Sequence, residues 1–471
     1  MKTVPVPHRS ARLKGLLRAE GGLPRMMPAR AHGIAPGAIP AVVRELVARL
    51  DAAGHVGLVV GGAVRDLLLG RDPKDFDVVT TARPEQVRAL FDNARLIGRR
   101  FRLALLRYPG MTVEVSTFRG PPQRTARGPI RRDNVYGTPR DDAFRRDFTV
   151  NALALDPLSY VLIDYVGGVT DLEAGIIRTI APPEVSFRED PVRMLRAVRF
   201  QIRLGFALEP ALEKALRAMV GHLAGVSRHR LAEETQRFLT GGHAAASFTA
   251  FGRLGLLEPL LAVAPHAWFF APRARTAPLE PLAPYLATLD AWAAAEREPI
   301  PPTVALLGLL AVLARPAFRA WLRGREPASP AATAYVRRLK GALAPMLADW
   351  GMLNGQVGPA LEIVEATRAL LARTDRKPAA PAAVRGMREA CLLALLLAGP
   401  LQVPQALQDA APGWLPDLPD LPILDHPRPP GARRSRRFPR DDGRRRRRGG
   451  RRRPGRGRSG RRHDEHRPRS G

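Results

Sequence analysis

The sequence predicts an α+β chain: an N-terminal α/β head with a small mixed sheet, an all-helical neck and body, and a disordered basic tail. Three observations predict it. Leu58–Thr81, LVVGGAVRDLLLGRDPKDFDVVTT, has the pattern strand, glycine turn, short helix, turn, strand. Beyond Pro182 the apolar residues keep a helical spacing, punctuated by prolines and glycines to about Leu415, with no repeat of fixed period. From His426 to Gly471 the chain holds 20 Arg against 4 acidic residues and has too few apolar residues to fold alone. The expected divisions are a flexible basic N-terminus over 1–31, the head over 32–181, a helical neck over 182–258, a helical body over 259–425 and the tail over 426–471.

Within the head, apolar Ile39, Val42, Val43, Leu46, Val47 and Leu50 predict an amphipathic helix that stops at Gly54. After Leu58–Thr81 comes a short helix over Pro84–Phe91. Strands follow across Leu96–Gly120, broken by a Pro-Gly turn. Alternation in Met111–Phe118 places Val113 and Val115 on one face and Thr112, Glu114 and Ser116 on the other. Gly120–Tyr136 is polar and basic and predicts a mobile loop. Regular structure restarts at Asp141–Leu155, and Val161–Tyr165 and Gly175–Ile180 are short extended pieces.

Composition narrows the chemistry. The net charge is +31, of which the tail contributes +16, leaving +15 for the rest. An excess in both parts favours a polyanion, and nucleic acid over membrane because no amphipathic anchor accompanies the charge. A single cysteine, Cys391, excludes a disulfide framework and a cysteine metal cluster. The longest apolar runs, Val304–Ala314 and Ala390–Pro400, are too short to span a bilayer, and no apolar leader segment follows the N-terminus. The expectation is a reducing, cytoplasmic location with no membrane partner.

Four groups of residues carry candidate chemistry. A Gly61-Gly62 turn opening a helix lets backbone approach a phosphate, although such a turn also serves as nothing more than a turn. Asp75 and Asp77 stand two apart in a strand, so both carboxylates leave one face. Hard divalent cations select such pairs together with substrate phosphates, the alternative being a polar strand end. Arg145-Arg146-Asp147 can bind phosphate oxygens with the aspartate holding a metal or the arginines, or form a surface ion cluster. In Arg188–Phe200, Asp190 and Pro191 mark a helix start, and Arg193, Arg196, Arg199 and Arg203 fall within a sector of about 120° at roughly 100° per residue. Four such charges repel unless an anion lies along them, or the face is simply solvated. Ser227–Leu239, with Glu233-Glu234, is expected to be a structural helix with a basic edge. No histidines stand at ligand spacing.

Assembled in this order, the motifs GGAVRD (Gly61–Asp66), KDFDV (Lys74–Val78), RRDFTVNAL (Arg145–Leu153) and EDPVRMLRAVRF (Glu189–Phe200) resemble the class II nucleotidyltransferases, the bacterial poly(A) polymerases and tRNA CCA-adding enzymes. The likeness runs from His32 to Leu257. It implies that Asp75 and Asp77 hold two magnesium ions, with Asp147 a further active-site acid and Glu114 a rival or additional one. It implies that Gly61, Gly62, Arg65, Arg146, Arg193 and Arg196 contact the nucleoside triphosphate, and that Asp190 and Arg193 read the incoming base.

All four motifs are common to both enzyme types. Leu96–Leu106, His32-Gly33-Ile34 and DNVYGTPRDDAFRRDFT are similar to the poly(A) polymerases, although Leu105 stands where those proteins often have His or Gln. The implied activity is template-independent addition of AMP from ATP to RNA 3′ ends, in a chain expected to be a monomer. The nearer alternative is CCA or A addition to tRNA. The more distant one is a non-catalytic RNA-binding protein on the same scaffold. The Arg-rich tail suits a non-specific RNA grip through counterion release.

Overall fold

Leu58-Val59-Val60 forms a strand because both faces of it are covered, so no polar residue is needed to face solvent. A computed structural model describes residues 24–98, 102–121, 135–262, 282–294, 299–313, 329–349 and 354–372, with a few isolated positions besides. The head elements in order are β1 (Arg25–Met27), α1 (Ala29–His32), α2 (Ala41–Ala52), β2 (Gly57–Val60), α3 (Gly62–Leu68), β3 (Phe76–Thr80), α4 (Pro84–Leu90), β4 (Ala94–Ile97), β5 (Leu103–Tyr108) and β6 (Met111–Thr117). A two-stranded ribbon, β7 (Gln123–Arg124) with β8 (Ile130–Arg132), precedes α5 (Pro139–Phe144), β9 (Ala154–Leu155), β10 (Leu162–Asp164) and α6 (Gly168–Ala174).

Eight strands make one sheet in the order β1-β10-β9-β2-β3-β6-β5-β4. Every pairing is antiparallel except β3 with β6, which is parallel and sets Asp77 beside Glu114. Period-two alternation sends Val59, Phe76, Val78, Val113 and Val115 into the large core under the helices. Leu58, Val60, Val79 and Ile163 take the other face, where Leu13 and Leu17 join them. Asp77 has the parity of Val79 and lies on this second face, while buried Phe76 anchors the strand between Asp75 and Asp77.

The mixed sheet and helical remainder agree with the expectation. One expectation is corrected at the N-terminus. The sequence predicts a flexible segment over residues 1–31, but Arg25–Met27 pairs antiparallel with Leu162–Asp164 at the sheet edge and Ala29–His32 is helical. A three-residue strand is too short to show its period, which is why the pattern missed it.

After β11 (Ile176–Ile177) the regular elements among the described residues are helical but for β12 (Ala207–Leu208), which pairs with β11. The neck comprises α7 (Pro183–Glu189), α8 (Val192–Leu204), α9 (Pro210–Met219), α10 (Arg228–Thr240), α11 (Ala244–Leu254) and α12 (Leu257–Ala262). Helices Ala283–Ala294, Pro302–Leu313, Pro330–Asp349 and Asn354–Ala372 follow. Among the described residues no helix is long and apolar enough to cross a membrane. The segment Gly120–Tyr136, expected to be a loop, carries the β7–β8 ribbon, while its positions 122, 125–129 and 133–134, Cys391 and the tail His426–Gly471 lie outside the described residues.

Candidate active site

The Gly61-Gly62 turn sits where β2 hands over to α3. Gly61 has φ +74°, a conformation that L side chains rarely adopt, and a Cβ there would lie 3.0 Å from Arg146 Nη1. Glycine therefore allows both the turn and the approach of a guanidinium to the backbone. Arg146 is itself held by Asp142 at 2.9 Å and reaches the Asn151 carbonyl at 3.4 Å.

From this turn a chain of alternating charges crosses from head to neck. Arg65, 2 % exposed, donates to Asp66 Oδ1 at 2.8 and 2.6 Å and to Asn151 Oδ1 at 2.5 Å. The second oxygen of Asp66 accepts from Arg203 at 3.1 Å. Asn151 donates to Asp147 Oδ1 at 3.2 Å, which also accepts the Phe148 amide at 2.9 Å. Asp147 Oδ2 takes Arg196 through Nε at 2.7 Å and Nη2 at 2.5 Å. On α10, Glu234 then receives Arg199 at 3.0 Å, Arg237 at 2.6 Å and Arg196 at 3.7 Å. Burial alone would raise the Asp147 carboxyl, but Arg196, Asn151 and the Phe148 amide outweigh it and hold it below its usual range. Burial brings Arg199 down to about 10 although Glu234 opposes it, with Arg196 and Arg237 adding to the fall.

The four arginines of α8 thus face neither solvent alone nor an unopposed anion site: the protein supplies their carboxylates. Arg193 completes the set, donating to Ser186 Oγ at 2.9 Å and pairing with Glu189 at 3.4 Å. Pro191, and not Asp190, is the N-cap of α8, although Asp190 Oδ1 accepts from the Val192 amide at 3.1 Å just before it. Asp190 Oδ2 accepts from Arg230 at 2.6 Å.

Asp75 and Asp77 lie across the cleft on the head. Burial raises the Asp77 carboxyl, Arg146 opposes the rise and Asp75 adds to it. Burial also raises Glu114, reinforced by Asp77 and then Asp75. These three carboxylates repel one another, the situation a bound cation relieves. Among the described residues no group of three or more His, Cys, Asp or Glu side chains forms a metal cluster. A carboxylate pair still fits magnesium, which keeps several waters and completes its shell with substrate phosphates.

One cavity of about 650 Å³ collects most of the residues the sequence nominated. Gly61, Gly62, Arg65, Asp75 and Asp77 line it from the head, and Arg146 and Asp147 from the segment after α5. Asp190, Arg193 and Arg196 line it from the neck. Nine arginines and six carboxylates border it, a surplus of three positive charges. Glu114 is not in its wall. Sequence reasoning missed Asn151, Arg230 and the role of Glu234. Asn151 stood inside the motif RRDFTVNAL, and Glu234 is the acid that faces Arg196 and Arg199 of the stripe.

Residues 58–178 match the family "Poly A polymerase head domain", and residues 205–268 match "Probable RNA and SrmB- binding site of polymerase A". The chain is 42% identical over 245 residues to poly(A) polymerase I of Escherichia coli O6:H1, covering 50% of this chain and 53% of that protein. It is 39% identical over 212 residues to a CC-adding tRNA nucleotidyltransferase of Halalkalibacterium halodurans, covering 45% and 52%. The chain spans about half the length of the curated relatives it matches. A solved CCA-adding enzyme in its apo form II shares the fold, with TM-score 0.52 and 20% identity over 83% of this chain and 99% of that one. Through its head and adjoining segment, the chain is similar to the bacterial poly(A) polymerases and to the CCA-adding enzymes.

Proposed function

We propose that the protein is a template-independent poly(A) polymerase, transferring AMP from ATP to the 3′ end of RNA and releasing pyrophosphate. The observation that carries this reading is the single cavity joining the Asp75/Asp77 pair to the Gly61 turn and to Arg146, Arg193 and Arg196. Adenylate rather than cytidylate addition is supported by the 42% identity to poly(A) polymerase I, against 39% to the CC-adding enzyme.

In this reading the 3′ oxygen bonds to the α-phosphorus of ATP, the bond from that phosphorus to the bridging oxygen breaks, and the hydroxyl proton passes to solvent. Arg146, Arg193 and Arg196 take phosphate oxygens, and most of the catalytic effect is positioning and charge stabilisation. Asp190 and Arg193 present hydrogen-bonding edges to the base, and their ties to Arg230 and Ser186 keep those edges in register. Asp75 and Asp77 would hold magnesium, which when bound makes the 3′ hydroxyl more acidic and neutralises charge on the leaving group. Asp147 and Glu114 divide the remaining acidic roles. Asp147 spends both oxygens on Arg196, Asn151 and the Phe148 amide, which suits positioning. Glu114, beside Asp77 on the parallel strand, is the third carboxylate facing the pair.

The second reading is CCA or A addition to tRNA. One assay separates them: a generic RNA and a tRNA lacking its CCA end, each with one of the four NTPs. AMP runs on the generic RNA are the expected result. Incorporation of CTP, confined to the tRNA, would overturn the poly(A) reading.

A further inference from the structure

Among the described residues the exposed large apolar side chains are Met26, Tyr136, Phe144 and Val185. The two aromatic ones, Tyr136 at 40% and Phe144 at 47% exposure, flank α5. Each ring lies against an arginine. Arg83, at the start of α4, stands over the Tyr136 ring at 5.5 Å, and Arg140, one helical turn before Phe144, stands over that ring at 5.0 Å. Both arginines are exposed, and among the described residues neither forms an ion pair. Glu85, whose charge acts with Arg83, is itself paired with Arg102 at 3.1 Å.

This strip is held from beneath. Past the end of β6, the Gly137 amide donates to the Phe118 carbonyl at 2.8 Å and the Gly120 amide to the Val135 carbonyl at 2.7 Å. A Cβ on Gly137 would lie 2.4 Å from Gly120 Cα, so glycine alone permits this crossing, and the crossing fixes the backbone of Tyr136. Thr138 and Asp141 then cap α5 reciprocally. The helix turns Pro139, Asp142 and Ala143 inward, where Asp142 accepts from the Arg119 amide at 3.2 Å and holds Arg146 at 2.9 Å. Arg140 and Phe144, four apart, are left outside. One side of α5 thus serves the nucleotide cavity and the other carries a ring and its cation. None of Arg83, Tyr136, Arg140 and Phe144 lines that cavity, although Arg145, next to Phe144, does.

A guanidinium on one face of a ring with solvent over the rest is an arrangement that takes a nucleobase. Every base has a π face to stack, the arginine adds a cation–π contribution, and its N–H edge meets a phosphate. An acidic peptide would satisfy the charges and leave both rings uncovered. We propose that this outer face of α5 is a stacking platform for the internal part of a single-stranded RNA, upstream of its 3′ end, with one base on Tyr136, one on Phe144, and Arg83 and Arg140 on neighbouring phosphates. Its grip is sequence-tolerant and separate from the nucleotide pocket. The choice of RNA as partner rests on the nucleotidyl-transfer reading above.

The test uses the full chain without ATP and reads the binding of fluorescent single-stranded RNA by anisotropy. The Tyr136→Ala/Phe144→Ala variant should raise Kd for an RNA of about 20 nucleotides roughly thirtyfold, the lower end of what two stacked bases supply, and leave an RNA of about four nucleotides within about twofold. The Tyr136→Phe/Phe144→Tyr variant keeps both rings and should bind the long RNA as the wild type does. Irradiation of RNA carrying 5-bromouridine at internal positions should give adducts on Tyr136 or Phe144. An unchanged Kd for the long RNA, an equal loss for the short one, or an equal loss in the ring-preserving variant overturns the proposal. So does polyglutamate binding that needs the two rings while RNA binding does not, which assigns the strip to an acidic protein. The two readings fail separately. Wild-type protein that transfers no AMP yet binds long RNA through the rings keeps the platform and loses the transfer reading. Protein that transfers AMP and binds RNA independently of the rings loses the platform alone.

Discussion

Glu234→Gln tests the charge chain at its most buried acid. The Glu234 side chain is 3% exposed and faces Arg196, Arg199 and Arg237, so glutamine keeps its shape and removes the one charge that three guanidinium groups share. Breaking a fully buried pair costs about 3–5 kcal/mol. Arg237 is 51% exposed and its share is small once solvent screens it, and Arg196 keeps Asp147. Arg199, 18% exposed, is left without its carboxylate, so the expected loss is about 2–3 kcal/mol. At about 2–4 °C per kcal/mol, Tm should fall by roughly 5–10 °C. The sharper readout is rescue. The stranded guanidinium gains from any anion in the pocket, so inorganic pyrophosphate should raise Tm more in the variant than in the wild type, by the linkage between ligand binding and stability. A fall under about 2 °C with an equal pyrophosphate response in both proteins would refute the idea that Glu234 balances the pocket arginines.

Asp77→Asn should lower AMP incorporation by orders of magnitude while leaving the fold intact, and should abolish the rise in Tm that magnesium gives the wild type, as read by thermal unfolding. The raised Asp77 and Glu114 carboxyls act against folding at neutral pH, and that penalty is relieved as pH falls through their folded values; a magnesium-dependent Tm gain should therefore shrink on acidification. Asp147 has the opposite sign: its stabilisation is present above the ordinary carboxyl range near about 3.9 and is lost as pH falls through its lowered folded value, so Asp147→Asn should flatten the acid limb of an unfolding-versus-pH curve. Gly61→Ala, at φ +74° and 3.0 Å from Arg146, should cost about 1–2 kcal/mol and raise KM for ATP, with chemical denaturation and steady-state kinetics as the checks.

The sequence made the head legible where pattern and chemistry coincide. The alternation of Met111–Thr117 sets which residues face the core, and that same alternation puts Glu114 on the outward face beside Asp77. The Gly-Gly turn, the D-x-D and the arginine stripe were each visible as short motifs, and the cavity brings them together. Two kinds of information were not local. The edge strand Arg25–Met27 depends on a partner 139 residues away at the first of its pairs, Arg25 with Asp164. The acids that neutralise Arg196, Arg199 and Arg203 come from three places: Asp66 on α3, Asp147 after α5 and Glu234 on α10. No spacing rule joins them, because each contact is fixed by how the helices pack and not by a period along one element. The stripe could be read as needing an anion, but not as needing these three.

That internal neutralisation bears on how such a pocket can exist before a nucleotide enters. Bare arginines aligned on one helix face would repel and splay, and ordering them at the moment of binding would cost side-chain entropy on each. Here Arg193, Arg196, Arg199 and Arg203 are each tied to an acid in advance, so their positions are set by the protein. The pairing is incomplete by design of the count: three positive charges remain in excess around the cavity, enough to favour a polyanion without leaving any of the four α8 arginines unpaired. The same chain of contacts makes the site a joint property of head and neck. Asp147 on the head pairs with Arg196 from the neck, and Arg196 in turn faces Glu234. Neither half carries the whole cavity, which is why the motifs that nominate the site are spread from Gly61 to Arg196 and why, on the proposed reading, packing between them, more than any single motif, decides whether the chemistry can occur.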